Sequence, residues 1–109
     1  MPFYVYILQC VDGSFYTGMT SDLEARLYEH QAGVNPQAYT YTRRPLELVW
    51  MDEFQTHDEA FNAEHQIKGW SRKKKIALIN HDFDAIHQIV TDERKYRQQN
   101  KKEGGKQLE

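Results

Sequence analysis

The chain has 109 residues, 39% of them hydrophobic and 13% aromatic, which suits one compact domain and excludes global disorder. Its net charge of −2 argues against a strongly basic nucleic-acid binder. A lone Cys10 excludes an intrachain disulfide and a cysteine-based zinc cage. No apolar run approaches the ~20 residues of a membrane span, and no signal peptide is recognisable, so the expectation is a cytoplasmic protein that does not enter a membrane. The charge is unevenly spread. Residues 1–66 hold three Lys/Arg against ten Asp/Glu, whereas residues 67–109 hold eleven against six, which predicts a bipolar surface.

Residues 3–10, FYVYILQC, are β-branched and aromatic without a charge and predict a strand buried on both faces. Asp12-Gly13 supplies a hairpin turn, and SFYTGM returns as an antiparallel second strand. Gly18 then reads as a turn glycine before a helix over residues 21–32, with Ser21 as its cap and Glu24 closing a capping box. Leu23 and Leu27 form the docking stripe of that helix. Arg26 and His30 fall beside the stripe, where the helix meets the sheet.

Residues 33–45 read as a loop, long enough to suggest a function. Its Tyr39, Tyr41, Arg43 and Arg44 interleave aromatics with arginines, which suits bases and phosphates. A solvated loop with its tyrosines folded onto the body is the alternative. Residues 46–54 predict a third strand. Thr56 caps a second helix with Glu59 three residues later, and Ala60, Ala63 and Ile67 face inward. Ser71 caps a short third helix holding Ile76, Leu78 and Ile79. A last amphipathic helix is expected over 84–97. The order β-β-α-β-α-α predicts an α+β fold, a small three-stranded and mainly antiparallel sheet flanked by helices. The domain is expected over residues 1–82, a helical extension over 83–97, and a disordered polar tail over 98–109.

Glu64 falls within the inward arc of the second helix. A carboxylate there needs a metal ion, an arginine or a cluster of donors, and an ion pair with Arg26 is the plain structural account. Tyr6 and Tyr16 stand on the first two strands. Strand tyrosines most often only pack, and a phenol is a poor base unless nearby charge stabilises the phenolate. A shared site for both tyrosines requires them on one face. A two-residue Asp12-Gly13 turn would put them on opposite faces, so a three- or five-residue turn, or a bulge, is predicted. Residues 68–75 bring Lys68, Trp70, Arg72, Lys73, Lys74 and Lys75 together, as a solvated basic face or a phosphate-tracking patch with a stacking ring. His57, His65, His81 and His87 form no ligand pattern.

Taken together these residues resemble the GIY-YIG nuclease family. Tyr4-Val5-Tyr6 stands where the first triplet falls and Tyr16-Thr17-Gly18 where the second does. Arg26 matches the family's helix arginine, His30 a histidine found one turn later in several branches, and Glu64 the metal-binding glutamate of the next helix. The resemblance covers residues 3 to about 80 and is nearest to small stand-alone bacterial members. It implies a metal-dependent DNA endonuclease or structure-selective nuclease acting in repair or recombination. One Mg²⁺ or Mn²⁺ would sit on Glu64, with Arg26 neutralising the phosphate, Tyr6 activating water, Tyr16 sharing or positioning, and His30 orienting a tyrosine or touching the phosphate. The alternative is a non-catalytic nucleic-acid or protein-binding module on the same fold. Met19 stands where many members have a lysine, and Ile76 where some carry an asparagine. No second DNA-binding domain is recognisable, so a protein partner supplying specificity is expected beside DNA, with the chain itself a monomer.

Overall fold

The computed structural model describes residues 2–87. The elements are β1 (Phe3–Gln9), β2 (Phe15–Thr20), α1 (Leu23–Ala32), a 3-10 turn (Tyr41–Arg43), β3 (Glu47–Phe54), α2 (His57–Lys68) and α3 (Arg72–Ile79). The chain falls into two compact units, Met1–Trp70 and Ser71–Glu109. No helix among the described residues is long and apolar enough to cross a membrane.

The first unit is organised on β1, which pairs antiparallel with β2 on one side and β3 on the other. That central place explains why its sequence carries no charge: Val5, Tyr6, Ile7 and Leu8 are all removed from water. Strand alternation sends Tyr6 and Leu8 to one face and Val5 and Ile7 to the other. On the first face Tyr6, Leu8, Cys10 and Leu46 form a cluster, joined by Tyr16 and by Leu23 and Leu27 of α1. Each buried Leu or Ile side chain contributes roughly 1.5–3 kcal/mol to holding these layers together. Helix α2 packs against the sheet with Ala60, Glu64 and Ile67 as its buried residues.

The hairpin joining β1 and β2 has three loop residues. Cys10 N–H donates to Ser14 O (2.8 Å) and Gly13 N–H to Cys10 O (2.9 Å), leaving residues 11–13 in the loop. Gly13 takes φ +85°, a value that favours glycine. Asp12 accepts from the Ser14 N–H and hydroxyl, and these bonds, then Arg43, hold its carboxyl below the usual range. The resulting register pairs Tyr6 with Gly18 and Leu8 with Tyr16, so both tyrosines lie on one face. Gly18 is therefore inside β2 rather than in a turn.

Two further local expectations are corrected. Asp22, not Ser21, caps α1: its carboxylate accepts from Ala25 N–H (3.1 Å), while Thr20 Oγ1 receives the Asp22 N–H (3.1 Å). A carboxylate there also complements the helix dipole. In α3 the buried residues are Lys74, Ala77 and Leu78, an i, i+3, i+4 arc. Ile76 lies off that arc and is exposed. Thr56 and Ser71 do cap α2 and α3 through Glu59 N–H and Lys74 N–H. Residues 83–87 start a further helix capped by Asp82, but the remainder of the helix expected over 84–97, and the tail, lie outside the described residues.

Residues 33–45 are not an open loop. The Gln31 side-chain amide donates to Leu46 O and accepts from Leu46 N–H (3.2 Å), tying the end of α1 to the start of β3. Arg43 donates to Asp12 (3.1 Å) and Tyr39 O (2.8 Å), with its guanidinium 3.8 Å from the Tyr39 ring centroid. Arg44 donates to Tyr41 O (2.9 Å) and Gln31 O (3.3 Å) and covers the Tyr41 ring. Gly33, at φ +69°, leaves the space this guanidinium fills, since a Cβ there would lie 2.5 Å from Arg44 Nη1.

Candidate active site

The sheet face that carries the tyrosines meets the last turn of α1 at His30. Tyr6 Oη lies 3.0 Å from His30 Nε2, and His30 Nδ1 lies 3.0 Å from Thr40 Oγ1. Both His30 and Thr40 are buried. Burial pushes the Tyr6 phenol up to about 12, against the pull of the neighbouring Arg26 guanidinium, so the phenol keeps its proton at neutral pH. Burial first, then Arg26, pushes His30 below its ordinary value, leaving a neutral ring. Both partners are hydroxyls, so the neutral ring is satisfied in either tautomer: with the proton on Nδ1, Tyr6 O–H donates to Nε2 and Nδ1–H donates to Thr40 Oγ1, and with it on Nε2 both directions reverse. The imidazole also meets the Tyr16 ring edge-on, with centroids 5.2 Å apart. Gly18 makes this cluster sterically feasible, because a Cβ at that position would lie 2.5 Å from Tyr6 Oη and 3.1 Å from the Tyr16 ring.

Arg26, one turn before His30, keeps its guanidinium at the mouth of this cluster. It pairs with Glu29 at 3.1 Å, and its proximity to Tyr6 is the main cause raising its own affinity for protons. Tyr16, Arg26, Glu29, His30, Tyr39 and Thr40 share one cavity of about 380 Å³.

Glu64 does not pair with Arg26. Its nearly buried carboxylate (9% exposed) is held by the ammonium of Lys68, one turn along α2, whose side chain is half exposed. The carboxylate is near enough to the tyrosine cluster for its charge to help raise the Tyr6 phenol. A buried polar atom is left over nearby in the sheet: Thr17 Oγ1 has no hydrogen-bond partner among the described residues.

A family profile described as the GIY-YIG catalytic domain matches residues 2–77. The chain belongs to the GIY-YIG family. Its relatives include the UPF0213 protein of Staphylococcus saprophyticus, 46% identical over 77 residues, which covers 71% of this chain and 93% of the relative. The Staphylococcus haemolyticus UPF0213 protein is also 46% identical, over 70% of this chain and 92% of its own. Among solved structures, the UPF0213 protein of Bacillus halodurans is 42% identical with a TM-score of 0.50, covering 73% of this chain and 84% of that one. A protein of E. faecalis is 38% identical with a TM-score of 0.55, over 74% and 85%. GIY-YIG is a nuclease family, and the three-stranded antiparallel sheet with flanking helices is common to these structures.

GIY-YIG nucleases are metal-dependent as a class, and the donors present can be tested against that. Among the described residues no group of three or more His, Cys, Asp and Glu stands ready to enclose a metal. Glu64 is a single carboxylate already neutralised by the half-exposed Lys68 ammonium. That donor set fits Mg²⁺ or Mn²⁺, which take one or two carboxylates and keep several waters, and does not fit a structural zinc.

The candidate nucleic-acid contacts of this GIY-YIG chain fall into two groups. Tyr41, Arg43 and Arg44 belong to the folded 33–45 segment, where both guanidiniums hold backbone carbonyls and tyrosine rings. In the basic run, Lys68 holds Glu64, Trp70 is half-buried, Arg72 and Lys73 are exposed, and Lys74 is buried. Burial pushes the Lys75 ammonium down. Two residues escaped sequence reasoning. Thr40 is a threonine in an aperiodic segment and carried no signal. Lys68 as the partner of Glu64 did carry one, since a Glu followed four residues later by Lys is a favoured helical pair.

Proposed function

We propose that this GIY-YIG protein is an endonuclease that hydrolyses a phosphodiester bond of DNA with one divalent cation. The observation that supports the reading is the Tyr6–His30 hydrogen bond beside Arg26, with the charge of Glu64 reaching the same phenol. Tyr6 at about 12 is too weak an acid to supply a standing phenolate. The water proton therefore passes to Tyr6 as the Tyr6 proton passes to the neutral His30 Nε2, which the lowered affinity of His30 for protons keeps free to accept. The water oxygen bonds to phosphorus, the bond to the leaving oxygen breaks, and solvent protonates that oxygen. Arg26 neutralises the charge that grows on the phosphoryl oxygens, a contribution worth on the order of 10²–10³ in rate. Thr40 accepts from Nδ1 and stabilises the imidazolium. Tyr16 packs against the ring and fixes its plane. Glu64 would hold the cation, which supplies Lewis-acid polarisation of the phosphate when bound.

The test is cleavage of supercoiled plasmid and of branched DNA with Mg²⁺ or Mn²⁺, wild type beside Glu64→Ala and Arg26→Ala. Metal-dependent cutting that disappears with Glu64→Ala and falls on the order of 10²-fold with Arg26→Ala is the expected result. Folded wild type that cuts neither substrate would overturn the reading in favour of a binding module.

A further inference from the structure

Tyr16 is the least tied member of the cluster around His30. Tyr6 and His30 are joined by a hydrogen bond, but among the described residues nothing hydrogen-bonds the Tyr16 hydroxyl. Three rings meet its own instead, with centroids 5.2 Å away for His30 and 6.4 Å for Tyr6 and for Tyr39. β2 is an edge strand paired only with β1, so no strand beyond it steadies Tyr16. Tyr39 meets it from outside the sheet, in direct contact and within 19° of parallel. Aromatic pairs at this separation have preferred geometries, so one ring restrains the plane of the other.

A loop tyrosine is a poor brace unless it is itself held, and Tyr39 is. The Arg43 guanidinium lies 3.8 Å from its ring centroid, Arg43 Nη1 donates to the Tyr39 carbonyl (2.8 Å), and Arg43 Nε donates to Asp12 (3.1 Å). The Arg43 carbonyl accepts from Val11 N–H (3.0 Å), and Asp12 is fixed in turn by the Ser14 N–H and hydroxyl. Arg43 is therefore moored to the hairpin by side chain and main chain together, and β2, which carries Tyr16, leaves that same hairpin.

We propose that Tyr39 is a positioning residue: clamped to the β1–β2 hairpin by Arg43, its ring sets the plane of Tyr16 and, through Tyr16, that of the His30 imidazole. Thr40, the next residue, holds the same imidazole at Nδ1, so two successive residues fix the ring by its plane and by its edge. For its effect on rate the proposal rests on the nuclease reading above, in which His30 must meet the Tyr6 hydroxyl in one orientation. A misplacement of about 1 Å can cost on the order of 10²-fold in rate, so a brace that touches no reacting atom still counts.

The test reads the rings first and the rate second, on the full chain with its fold checked by circular dichroism. Tyr39→Leu keeps apolar bulk without the flat ring. In nuclear magnetic resonance spectra it is expected to shift and broaden the ring signals of both Tyr16 and His30, whereas Tyr39→Phe leaves His30 as in wild type. Arg43→Lys alters no ring, yet one ammonium cannot serve carbonyl, carboxylate and ring at once, so it is expected to move the same signals by less. In DNA cleavage Tyr39→Leu is expected to lower kcat roughly tenfold with KM unchanged, and Tyr39→Phe to restore it. Three results would each overturn the proposal: Tyr16 and His30 signals that stay put in Arg43→Lys, an effect of Tyr39→Leu on His30 that persists in a Tyr16→Leu background, or a raised KM with kcat intact. Wild type that cuts no DNA would remove the nuclease reading alone, because the ring signals decide the brace without it.

Discussion

Tyr6 and Glu64 are both almost removed from water, yet their polar ends are secured in opposite ways. The phenol is locked into a buried chain with His30 and Thr40, each link at 3.0 Å, and it roofs Gly18 with no room to spare. The carboxylate is held by one ammonium on a long, half-exposed side chain that can leave by rotating about its own bonds. The difference teaches how the proposed site would divide its work. Groups to be aligned before a substrate arrives would be those fixed by several contacts at once. The group that would exchange its partner for a cation is the one held by a single, half-exposed side chain.

The comparison can be broken most severely at Gly18. Gly18→Ala puts a methyl into Tyr6 Oη, and the ring it meets is fully buried and anchored on the central strand β1. Overpacking of this kind is expected to cost about 3 kcal/mol, read by urea unfolding, and to separate Tyr6 from His30.

The buried phenol sets the next effect. The Tyr6 value is raised in the folded protein, so its contribution is fully present below the unfolded value near 10 and is lost as pH rises through about 12. Wild type is therefore expected to lose about 2 kcal/mol of stability between pH 9 and pH 12 through this one group. Tyr6→Phe should flatten that part of the curve. His30, lowered by burial, acts at the other end: stability is expected to fall as pH drops below the unfolded value of about 6.5, and cleavage only further down, where the folded ring itself takes a proton and can no longer accept from Tyr6.

Thr40→Val tests whether the chain needs its last link. The shape is kept and His30 Nδ1 loses its hydrogen-bond partner, which is expected to cost about 1–2 kcal/mol. Cleavage should fall through kcat with KM unchanged, and Thr40→Ser should restore both. Lys68→Met leaves a nearly buried carboxylate unpaired and is expected to cost about 1–3 kcal/mol, while its effect on metal has the opposite sign. Removing the competing ammonium should tighten Mn²⁺ binding to the free protein, measured by electron paramagnetic resonance, and Glu64→Ala should abolish it. Equal Mn²⁺ affinity in wild type and Lys68→Met would show that the ammonium does not guard the carboxylate.

What was legible in the chain followed from periodicity. Alternation along β1, the three-residue interval from Thr56 to Glu59 and the demand that Tyr6 and Tyr16 share a face all yielded features the structure has, including the three-residue hairpin. Adjacent residues of equal aptitude were not separable: Ser21 and Asp22 both cap helices, and only the Thr20 side chain, which engages the Asp22 N–H, decides between them. Ile76 was placed inward because an apolar residue in a short helix is weak information about its phase. The 33–45 segment was opaque for a different reason. Its arginines fold onto carbonyls and rings of the segment and onto Asp12 and Gln31 beyond it, and no repeat in the residues announces such contacts.

The Gln31 amide bridges both backbone groups of Leu46, so the stretch between them begins and ends at a fixed stem. What lies inside the stem is tied to the body as well as to its own ends, through Thr40 on His30 and Arg43 on Asp12. Loop closure grows only as the logarithm of length, so a segment transplanted from another UPF0213 protein between these two anchors, with Thr40 and Arg43 kept, should leave the sheet, the hairpin and α2 undisturbed while changing the aromatic lining of the cavity. On the proposed nuclease reading, one peptide held at four points could then be varied without redesigning the frame around it.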